Sequence, residues 1–219
     1  DTFEFLQNLI SNDLKSLSET KVIYSALLTP QGKFLHDFFV ISWQGDIYLD
    51  CLKERSADLI RRLTMYKLRA DCTITDASEA LKISALYHGT NDDFPQNVGE
   101  ALSSDAHILY ADPRLKELGY RVIEAADSDF TNVLSDTNSA PLEDYTTYRL
   151  SLGVPEGGTD IQPEKNFLLE ANFEELNGVS FSKGCYIGQE LTARTKYRAK
   201  IKKRLFAFKY DGTIEVGDP

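Results

Sequence analysis

The sequence has few of the residues that build disulfide frameworks or metal cages. Its three cysteines, Cys51, Cys72 and Cys185, are odd in number and show no CxxC pair and no Cys/His ligand spacing. A disulfide scaffold or a preformed zinc site needs several such residues at defined spacings. We therefore expect a reducing compartment and no resident metal.

Long apolar runs and targeting signals are also missing. No run approaches the roughly 20 apolar residues that a membrane-spanning helix needs, so no membrane partner is expected. The chain begins without methionine and without the residue order of a secretory signal, which suggests a trimmed N terminus. What remains is typical of a soluble globular protein: 219 residues, 42% hydrophobic and 26% charged, predict two compact units, or one unit and a fragment.

Charge is distributed unevenly along the chain. A net charge of −10 would argue against a nucleic-acid partner if it were spread evenly. The stretch 183–204, however, contains a single acidic residue, Glu190, and eight basic ones. This basic strip is either a solvated face or an anion site, for a polycarboxylate ligand or an acidic partner surface. Its members are Lys183, Arg194, Lys196, Arg198, Lys200, Lys202, Lys203 and Arg204.

The spacing of apolar residues predicts an α+β chain. Helical spacing predicts a first helix capped by Asp1 and continuing to Leu17, a second with Ala57, Ile60, Leu63 and Leu68 facing inward, and two more at 142–152 and 188–197. Strands are predicted at 22–29, 34–42, 46–50, 72–75, 81–87, 107–111 and 121–125, with further strands from 199 and at 213–216. Because the order lacks regular βαβ crossovers, we expect antiparallel sheets flanked by helices.

Two glycine-rich stretches have different interpretations. GVPEGG, 153–158, lacks the Gly-Lys-Ser/Thr sequence of a phosphate-binding loop and is interpreted as a turn. FSKGCYIGQE, 181–190, places Cys185 between two glycines, just ahead of a predicted helix N terminus. Unpaired backbone N–H groups there, with Lys183 nearby, would favour the thiolate, but a free cysteine is also often a small buried hydrophobe. Gln189 and Glu190, on the first turn, are suited to capping.

The segment KGCYIGQELTAR, 183–194, closely resembles the signature K-G-C-[FY]-x-G-Q-E-x-x-x-R of the YgfZ family, folate-binding relatives of the glycine cleavage T-protein. FLQNLISND, LLTPQGKFLHDFFV, DPRLKELGYR and YRLSLGVPEGG agree with that resemblance, which spans nearly the whole chain. It is strongest to the branch of bacterial and mitochondrial factors that mature 4Fe–4S proteins. The T-protein has no cysteine in its otherwise similar segment, so Cys185 marks the assembly branch.

The resemblance implies a T-protein-like folate-binding fold. Two interleaved antiparallel-sheet subdomains with flanking helices would surround a central folate cavity, next to a C-terminal β-barrel that is largely missing here. We divide the chain into an N-terminal α+β part at 1–126 and a second α+β part at 127–197, which carries the KGCYIGQE motif. The third part, 198–219, would be the first strands of the truncated barrel.

The resemblance also implies a set of site residues. Asp37 matches the T-protein aspartate that faces the reactive nitrogen of tetrahydrofolate, and Tyr24 matches a cavity tyrosine. Ser151, after Arg149, replaces a glutamate that holds the pterin ring, which weakens the case for aminomethyl transfer because a hydroxyl replaces a carboxylate. Cys185 and Asp37 are the predicted chemical groups. The predicted folate-binding residues are Tyr24, Asp37, Arg149, Lys183, Gln189, Glu190 and Arg194.

The implied function is that of a tetrahydrofolate-binding accessory protein for assembly or repair of iron–sulfur clusters in 4Fe–4S client proteins. Its partners would be Fe–S assembly proteins or client enzymes, and no nucleic acid is expected. A lone thiolate cannot hold a cluster, so Cys185 would act as a nucleophile or as a transient ligand completed by a partner. The alternatives are a folate-dependent, aminomethyltransferase-like one-carbon transferase and a ligand-binding module without chemistry. The bacterial cytoplasm and the mitochondrial matrix are equally compatible with the sequence.

Overall fold

The computed structural model describes residues 2–89, 91–130, 137–198, 201 and 203–212. Within them the α-helices are α1 (Thr2–Gln7), α2 (Ser56–Lys67), α3 (Leu142–Ser151) and α4 (Gln189–Arg198). The strands are β1 (Ile23–Leu28), β2 (Phe34–Trp43), β3 (Asp46–Asp50), β4 (Leu81–Leu86), β5 (Ala101–Ser103), β6 (His107–Ala111) and β7 (Tyr120–Ala125). Short 3₁₀ turns lie at Leu14–Ser16, Lys53–Arg55, Lys116–Leu118 and Leu168–Ala171.

The first sheet is an antiparallel meander in the order β1-β2-β3. β1 and β2 meet at a tight turn, in which Gly32 adopts a φ of 72° that a residue with a side chain rarely takes. The pairing register shifts between Leu27 and Leu28, so a bulge lies next to this turn. β1 is buried along its entire length, which its apolar sequence IYSALL predicts for a strand covered on both faces.

The two faces of this first sheet bury different sets of residues. One face packs against the N-terminal segment and α2, with a core of Leu6, Leu9, Ile10, Leu14, Ile23, Leu27, Leu35, Phe38, Val40, Leu59 and Leu63. The other face packs against the second sheet and residues 154–186, through Tyr24, Ala26, Leu28, Phe34, Phe39, Ile41 and Trp43. The interior between the sheets therefore contains residues from all parts of the chain.

The second sheet is also antiparallel, in the order β4-β7-β6-β5. Ala101, Ile108, Tyr110 and Ile123 lie on its inner side and join the central core. The short strand β5 was not predicted, because three residues are too few to show a period. The antiparallel α+β architecture expected from the sequence is confirmed, and the described residues form no closed barrel.

The predicted N-terminal helix is wrong in length. α1 ends at Gln7, and Ile10 forms an isolated antiparallel bridge with Leu27. The Gln7 side chain donates to Asp13 Oδ1 at 2.9 Å and accepts from the Leu14 backbone N–H at 2.8 Å, so polar groups within the segment compete with the helix. The predicted Asp1 cap lies outside the described residues.

Two further predictions, on α2 and on residues 72–75, need correction. Leu59 and Leu63 are the buried residues of α2, whereas Ala57 and, just beyond the helix, Leu68 are exposed. Asp58, next to Leu59, bonds to His36 on β2. Residues 72–75 form no strand; Ile74 packs on the core without backbone pairing.

The predicted strand from 199 is not seen in residues 203–210, which have no regular secondary structure, although the Leu205 N–H donates to the Glu170 carbonyl at 2.9 Å. The predicted strand at 213–216 lies outside the described residues. Within the part of the chain that the structure describes, no helix combines the length and apolarity needed to cross a bilayer.

Candidate functional site

Cys185 is exposed and lies beside Pro30, a residue of the β1–β2 turn. It lies in the loop 181–188, ahead of α4, which begins at Gln189, one residue from the predicted start. A groove of about 710 Å³ opens beside the thiol. It is lined by Pro30, Cys185, Tyr186, Gly188, Gln189, Glu190, Ala193, Arg194, Tyr197 and Arg198. The thiol is therefore accessible, and we call this region the thiol groove.

The loop that carries Cys185 packs closely onto the β1–β2 turn. Gly188 has a φ of 82°, and a Cβ there would lie 2.6 Å from the Thr29 carbonyl oxygen and 3.0 Å from Gly32 Cα. Only glycine allows this approach of two backbones. Gln189 Nε2 donates to the Gly184 carbonyl at 3.3 Å across the loop. These contacts explain why the motif needs glycine at 188.

Lys183 has partners that the sequence did not predict. Its side chain is buried, and Nζ donates to the backbone carbonyls of Gln7, Ile10 and Asn12 at 2.7, 2.7 and 2.8 Å. An ammonium group has three hydrogens, so its donor capacity is used in full. The predicted roles of Lys183, as an anchor for a ligand and as a stabiliser of the Cys185 thiolate, are therefore not what its contacts favour.

Much of the basic strip is neutralised within the chain. Arg194 binds Glu190 at 2.8 Å on the exposed face of α4, Lys196 pairs with Glu174, and Arg204 donates to Glu175 at 2.5 Å. Arg198 and Lys203 are exposed. Lys200 and Lys202 lie outside the described residues. Three of the six described members of the strip are thus ion-paired, and Arg198 adds a cation to the thiol groove.

A second polar site lies inside the molecule, around Tyr24 and Asp37. Tyr24 Oη donates to Asp37 Oδ2 at 2.6 Å, and burial, with the nearby Asp37 charge, raises the pKa of Tyr24 well above its ordinary value. The Tyr24 ring stacks on Phe173 with centroids 5.1 Å apart. Gly157 lies against the carboxylate, because a Cβ on it would overlap Asp37 Oδ1. We call Tyr24 and Asp37 the interior pair, and the region around them, with Gly157, the interior site.

Two buried arginines border this interior site, and sequence reasoning missed both. Arg114 binds Asp112 through two bonds of 3.0 and 2.8 Å, and Arg121 Nη2 binds Asp50 at 2.7 Å. Their guanidinium carbons lie 4.8 and 4.6 Å from the Phe39 ring centroid, a cation–π geometry. Both belong to the DPRLKELGYR stretch, whose polar residues within a folded segment were the available signal.

Arg149 supports the interior site indirectly. It is buried on α3, where Nη1 donates to the Val154 carbonyl and, at 3.0 Å, to Asp160 Oδ2. These bonds hold the 153–160 turn that presents Gly157. Arg149 Nη2 is buried without a hydrogen-bond partner among the described residues. Ser151, in contrast, is exposed, and its hydroxyl donates to the Tyr148 carbonyl at 2.6 Å.

These residues provide a test of whether a folate would fit. The pterin ring of tetrahydrofolate is flat and rich in hydrogen-bond donors and acceptors. The interior site offers a carboxylate oxygen, Asp37 Oδ1, but Gly157 packs so closely against it that an added Cβ would overlap the oxygen. Arg149 Nη2 is buried without a hydrogen bond and lies 3.7 Å from Glu156 Oε2. Ser151 adds nothing, because it points to its own helix. Asp37 thus suits a pterin in its chemistry, whereas the close packing of Gly157 leaves no room for a flat ring between the two residues.

The structure does not unite all predicted site residues. Asp37 lies on β2, five residues beyond Gly32 and so roughly 17 Å along the strand from the turn that borders the thiol groove. The two sites share no lining residue: Cys185, Gln189, Glu190 and Arg194 belong to the groove, and Tyr24 and Asp37 to the interior. The single convergent site expected from the sequence is therefore two sites. Among the described residues, no three His, Cys, Asp or Glu side chains are grouped to hold a metal ion.

Comparison with known proteins connects this chain to iron–sulfur assembly factors. It is 32% identical over 228 residues to the mitochondrial iron–sulfur cluster assembly factor IBA57 of Mus musculus, covering 98% of this chain and 63% of the mouse protein. It is 31% identical over 218 residues to the IBA57 homolog of Mycosarcoma maydis, covering 94% of this chain and 52% of that protein. The chain thus spans only about half to two-thirds of these relatives. No protein-family model matches it.

The fold has a match of its own among solved structures. The glycine cleavage aminomethyltransferase T of Bartonella henselae superposes with a TM-score of 0.69 over 89% of this chain and 58% of that chain, at 16% identity. This likeness shows the fold.

The curated relatives are mitochondrial proteins, which supports the mitochondrial matrix over the bacterial cytoplasm. Its sequence relatives are thus IBA57 iron–sulfur cluster assembly factors, and its fold matches that of the glycine cleavage T-protein.

Proposed function

We propose that this chain takes part in assembling or repairing iron–sulfur clusters of 4Fe–4S client proteins, with Cys185 as the group that meets the cluster. The exposed position of Cys185 in an open groove carries the proposal. A thiolate is a ligand suited to Fe–S clusters. The family relatives, named as iron–sulfur cluster assembly factors, support the same role.

A single thiolate supplies one ligand where a cluster needs several. Cluster cargo at Cys185 is therefore shared with a partner, whose own ligands complete the coordination. The open groove leaves space for such a partner beside the thiol. Partners are Fe–S assembly proteins that deliver the cargo, or client enzymes that receive it.

We further propose that tetrahydrofolate binds at the interior pair. Asp37 would accept a hydrogen bond from the ligand through Oδ1, and the turn that carries Gly157 would have to move away from this oxygen to admit a flat ring. Tyr24 keeps the carboxylate oriented through its bond to Oδ2. When bound, tetrahydrofolate supplies a nitrogen that carries one-carbon units.

The cluster role is tested by Cys185→Ala. In mitochondria that lack their own IBA57-type factor, the wild-type protein should restore the activity of a 4Fe–4S enzyme such as aconitase, and Cys185→Ala should not. Cys72→Ala, which removes a thiol from another surface segment, is the control and should restore it. Full aconitase activity with Cys185→Ala would overturn the proposal.

A second candidate function is one-carbon transfer from tetrahydrofolate. The bond between Tyr24 and Asp37 favours it, because this pair resembles what the T-protein places at the reactive nitrogen. The exposed position of Ser151 speaks against it. Asp37→Asn separates the two functions: a transferase would lose turnover of an aminomethyl or formyl donor, whereas the cluster role alone predicts no turnover in the wild type. Calorimetric titration with tetrahydrofolate, in which Asp37→Asn should weaken binding, tests the ligand itself.

A further inference from the structure

The N-terminal segment and the Cys185 loop are joined although they are about 170 positions apart in sequence. Nζ of Lys183 donates to three backbone carbonyls of one six-residue stretch, those of Gln7, Ile10 and Asn12. The Lys183 ammonium group is charged and buried, and it uses all three of its hydrogens. Each of these hydrogen bonds is therefore stronger than one between neutral groups. Lys183 is two residues from Cys185.

Other bonds extend the same junction. The Ser180 N–H donates to the Ser11 carbonyl at 3.0 Å, and Ser11 Oγ donates to the Gly178 carbonyl at 2.7 Å. Asn12 Nδ2 donates to the Asn177 and Tyr24 carbonyls, both at 2.8 Å. The stretch 177–183 is thus bound to residues 7–12 at several points before the chain reaches the thiol.

The Cys185 loop is held on its other side by the β1–β2 turn. Gly188 packs onto Thr29 and Gly32 so closely that no side chain fits. Cys185 therefore lies on four residues of chain, 184–187, between two fixed points. The short span restricts where Sγ can lie.

From this geometry we infer that Lys183 is a positioning residue for Cys185, and that segment 7–12 is a structural part of the thiol groove. The inference rests on the proposed role of Cys185, since it assigns a reason for keeping the thiol in one orientation. Lys183 holds the loop in place from within the protein, so the thiol is presented before any partner arrives. Such preorganisation reduces the entropy lost when a partner engages.

The test uses the chain with Cys51→Ser and Cys72→Ser, in which Cys185 is the remaining thiol. The variant is Lys183→Met, which keeps the length of the side chain without its charge. Lys21→Met is the matched control, because Lys21 is also a half-buried lysine whose Nζ donates to a backbone carbonyl, that of Val98. Asn12→Ala removes the two hydrogen bonds that Asn12 Nδ2 donates to the Asn177 and Tyr24 carbonyls, and it leaves Lys183 and its three backbone acceptors intact.

Two measurements are made on the free protein without any cluster. Hydrogen exchange of residues 7–12 and 183–188 should accelerate together by roughly tenfold or more in Lys183→Met, the loss expected for buried bonds to a charged group. The same two segments should accelerate by a smaller factor in Asn12→Ala. Neither segment should change in Lys21→Met.

The second measurement is the ratio of the rates at which N-ethylmaleimide and the bulkier N-pyrenylmaleimide modify Cys185. A thiol held in the groove discriminates between them, so the ratio in Lys183→Met should move toward that of the urea-unfolded protein, while the control keeps the wild-type ratio. An unchanged ratio with unchanged exchange in both Lys183→Met and Asn12→Ala would overturn the inference. If Lys183→Met fails to fold, Asn12→Ala decides by the same two readouts. Neither readout depends on cluster chemistry. The proposed function can therefore fail while this inference stands, and this inference can fail while the proposed function stands.

Discussion

At the scale of single residues, the interior site depends on the absence of a side chain at 157. Gly157 has no unusual φ, so its need for glycine comes from space alone. Asp37 Oδ1 and Phe34 Cζ occupy the volume that a Cβ would need. The packing around Tyr24 and Asp37 therefore depends on Gly157, a neighbour that contributes no side chain.

Gly157→Ala should lower the free energy of unfolding by about 1–3 kcal/mol, as overpacking in a filled interior does. It should also weaken any tetrahydrofolate binding, because the methyl group displaces the Asp37 carboxylate. Urea unfolding and calorimetric titration measure the two effects. Gly184→Ala is the control, since nothing lies near its added Cβ. Equal stability of the two variants would contradict the packing argument.

At the scale of elements, α2 is attached to the first sheet by a titratable contact. His36 Nε2 on β2 lies 2.8 Å from Asp58 Oδ2 on α2, and Arg62 Nε binds the same carboxylate oxygen at 2.7 Å. Burial lowers the pKa of His36 below its ordinary 6.5 in spite of Asp58. Burial would raise the pKa of Asp58, but hydrogen bonds from Arg62, Arg61 and His36 hold it well below 3.8.

These shifts predict the pH dependence of stability. Both groups bind fewer protons in the folded than in the unfolded state, so their contribution is present at neutral pH and lost on acidification. The free energy of unfolding should fall as the pH drops below 6.5, because the His36 contribution is lost there. It should fall again below pH 3.8, where the Asp58 contribution is lost. His36→Gln should remove the first decline and keep the second in urea titrations from pH 8 to 3. A first decline that persists in His36→Gln would assign it to other groups.

At the scale of the whole molecule, an ion pair between Asp50 and Arg121 links the two sheets. Asp50 ends β3 of the first sheet, and it accepts from Arg121 and Tyr110 of the second, at 2.7 and 3.2 Å. Such a pair has a high cost of desolvation, and removing one partner leaves the other charge buried. The pair therefore specifies how the sheets face each other more than it adds to stability.

Arg121→Met should destabilise the protein by about 3–5 kcal/mol, because Asp50 then remains as an uncompensated buried charge. The double variant Arg121→Met with Asp50→Asn should recover part of that loss. Thermal unfolding followed by circular dichroism measures both. Arg61→Met is the control, since Arg61 is exposed and Asp58 keeps its other partners. A double variant less stable than Arg121→Met would show that the uncompensated Asp50 charge is not the cause of the loss.

Much of the sheet architecture was predictable from local patterns. The bounds of β1, β2, β3, β6 and β7 lie within about one residue of prediction, since alternating apolar residues and turn residues specify them locally. The N-terminal helix was mispredicted because Ser11 and Asn12 bond to residues 177 and 178, which no local pattern reveals. The Lys183 contacts and the pairing of Arg121 with Asp50, 71 positions away, were missed for the same reason. Arg114 and Asp112 are only two positions apart, and it is their burial that local patterns do not reveal.

The sequence by itself determined the antiparallel strands, the helix after residue 188, the glycines around Cys185 and the family motif, because each depends on neighbours along the chain. Only the tertiary structure decided which charges are paired inside the molecule, that Lys183 turns to the N-terminal segment, and that Cys185 and Asp37 belong to separate sites. The physical reason is that burial and hydrogen-bond partners come from segments far apart in sequence, 71 positions for Asp50 and Arg121 and 176 for Gln7 and Lys183. Their energies exist only once those segments meet.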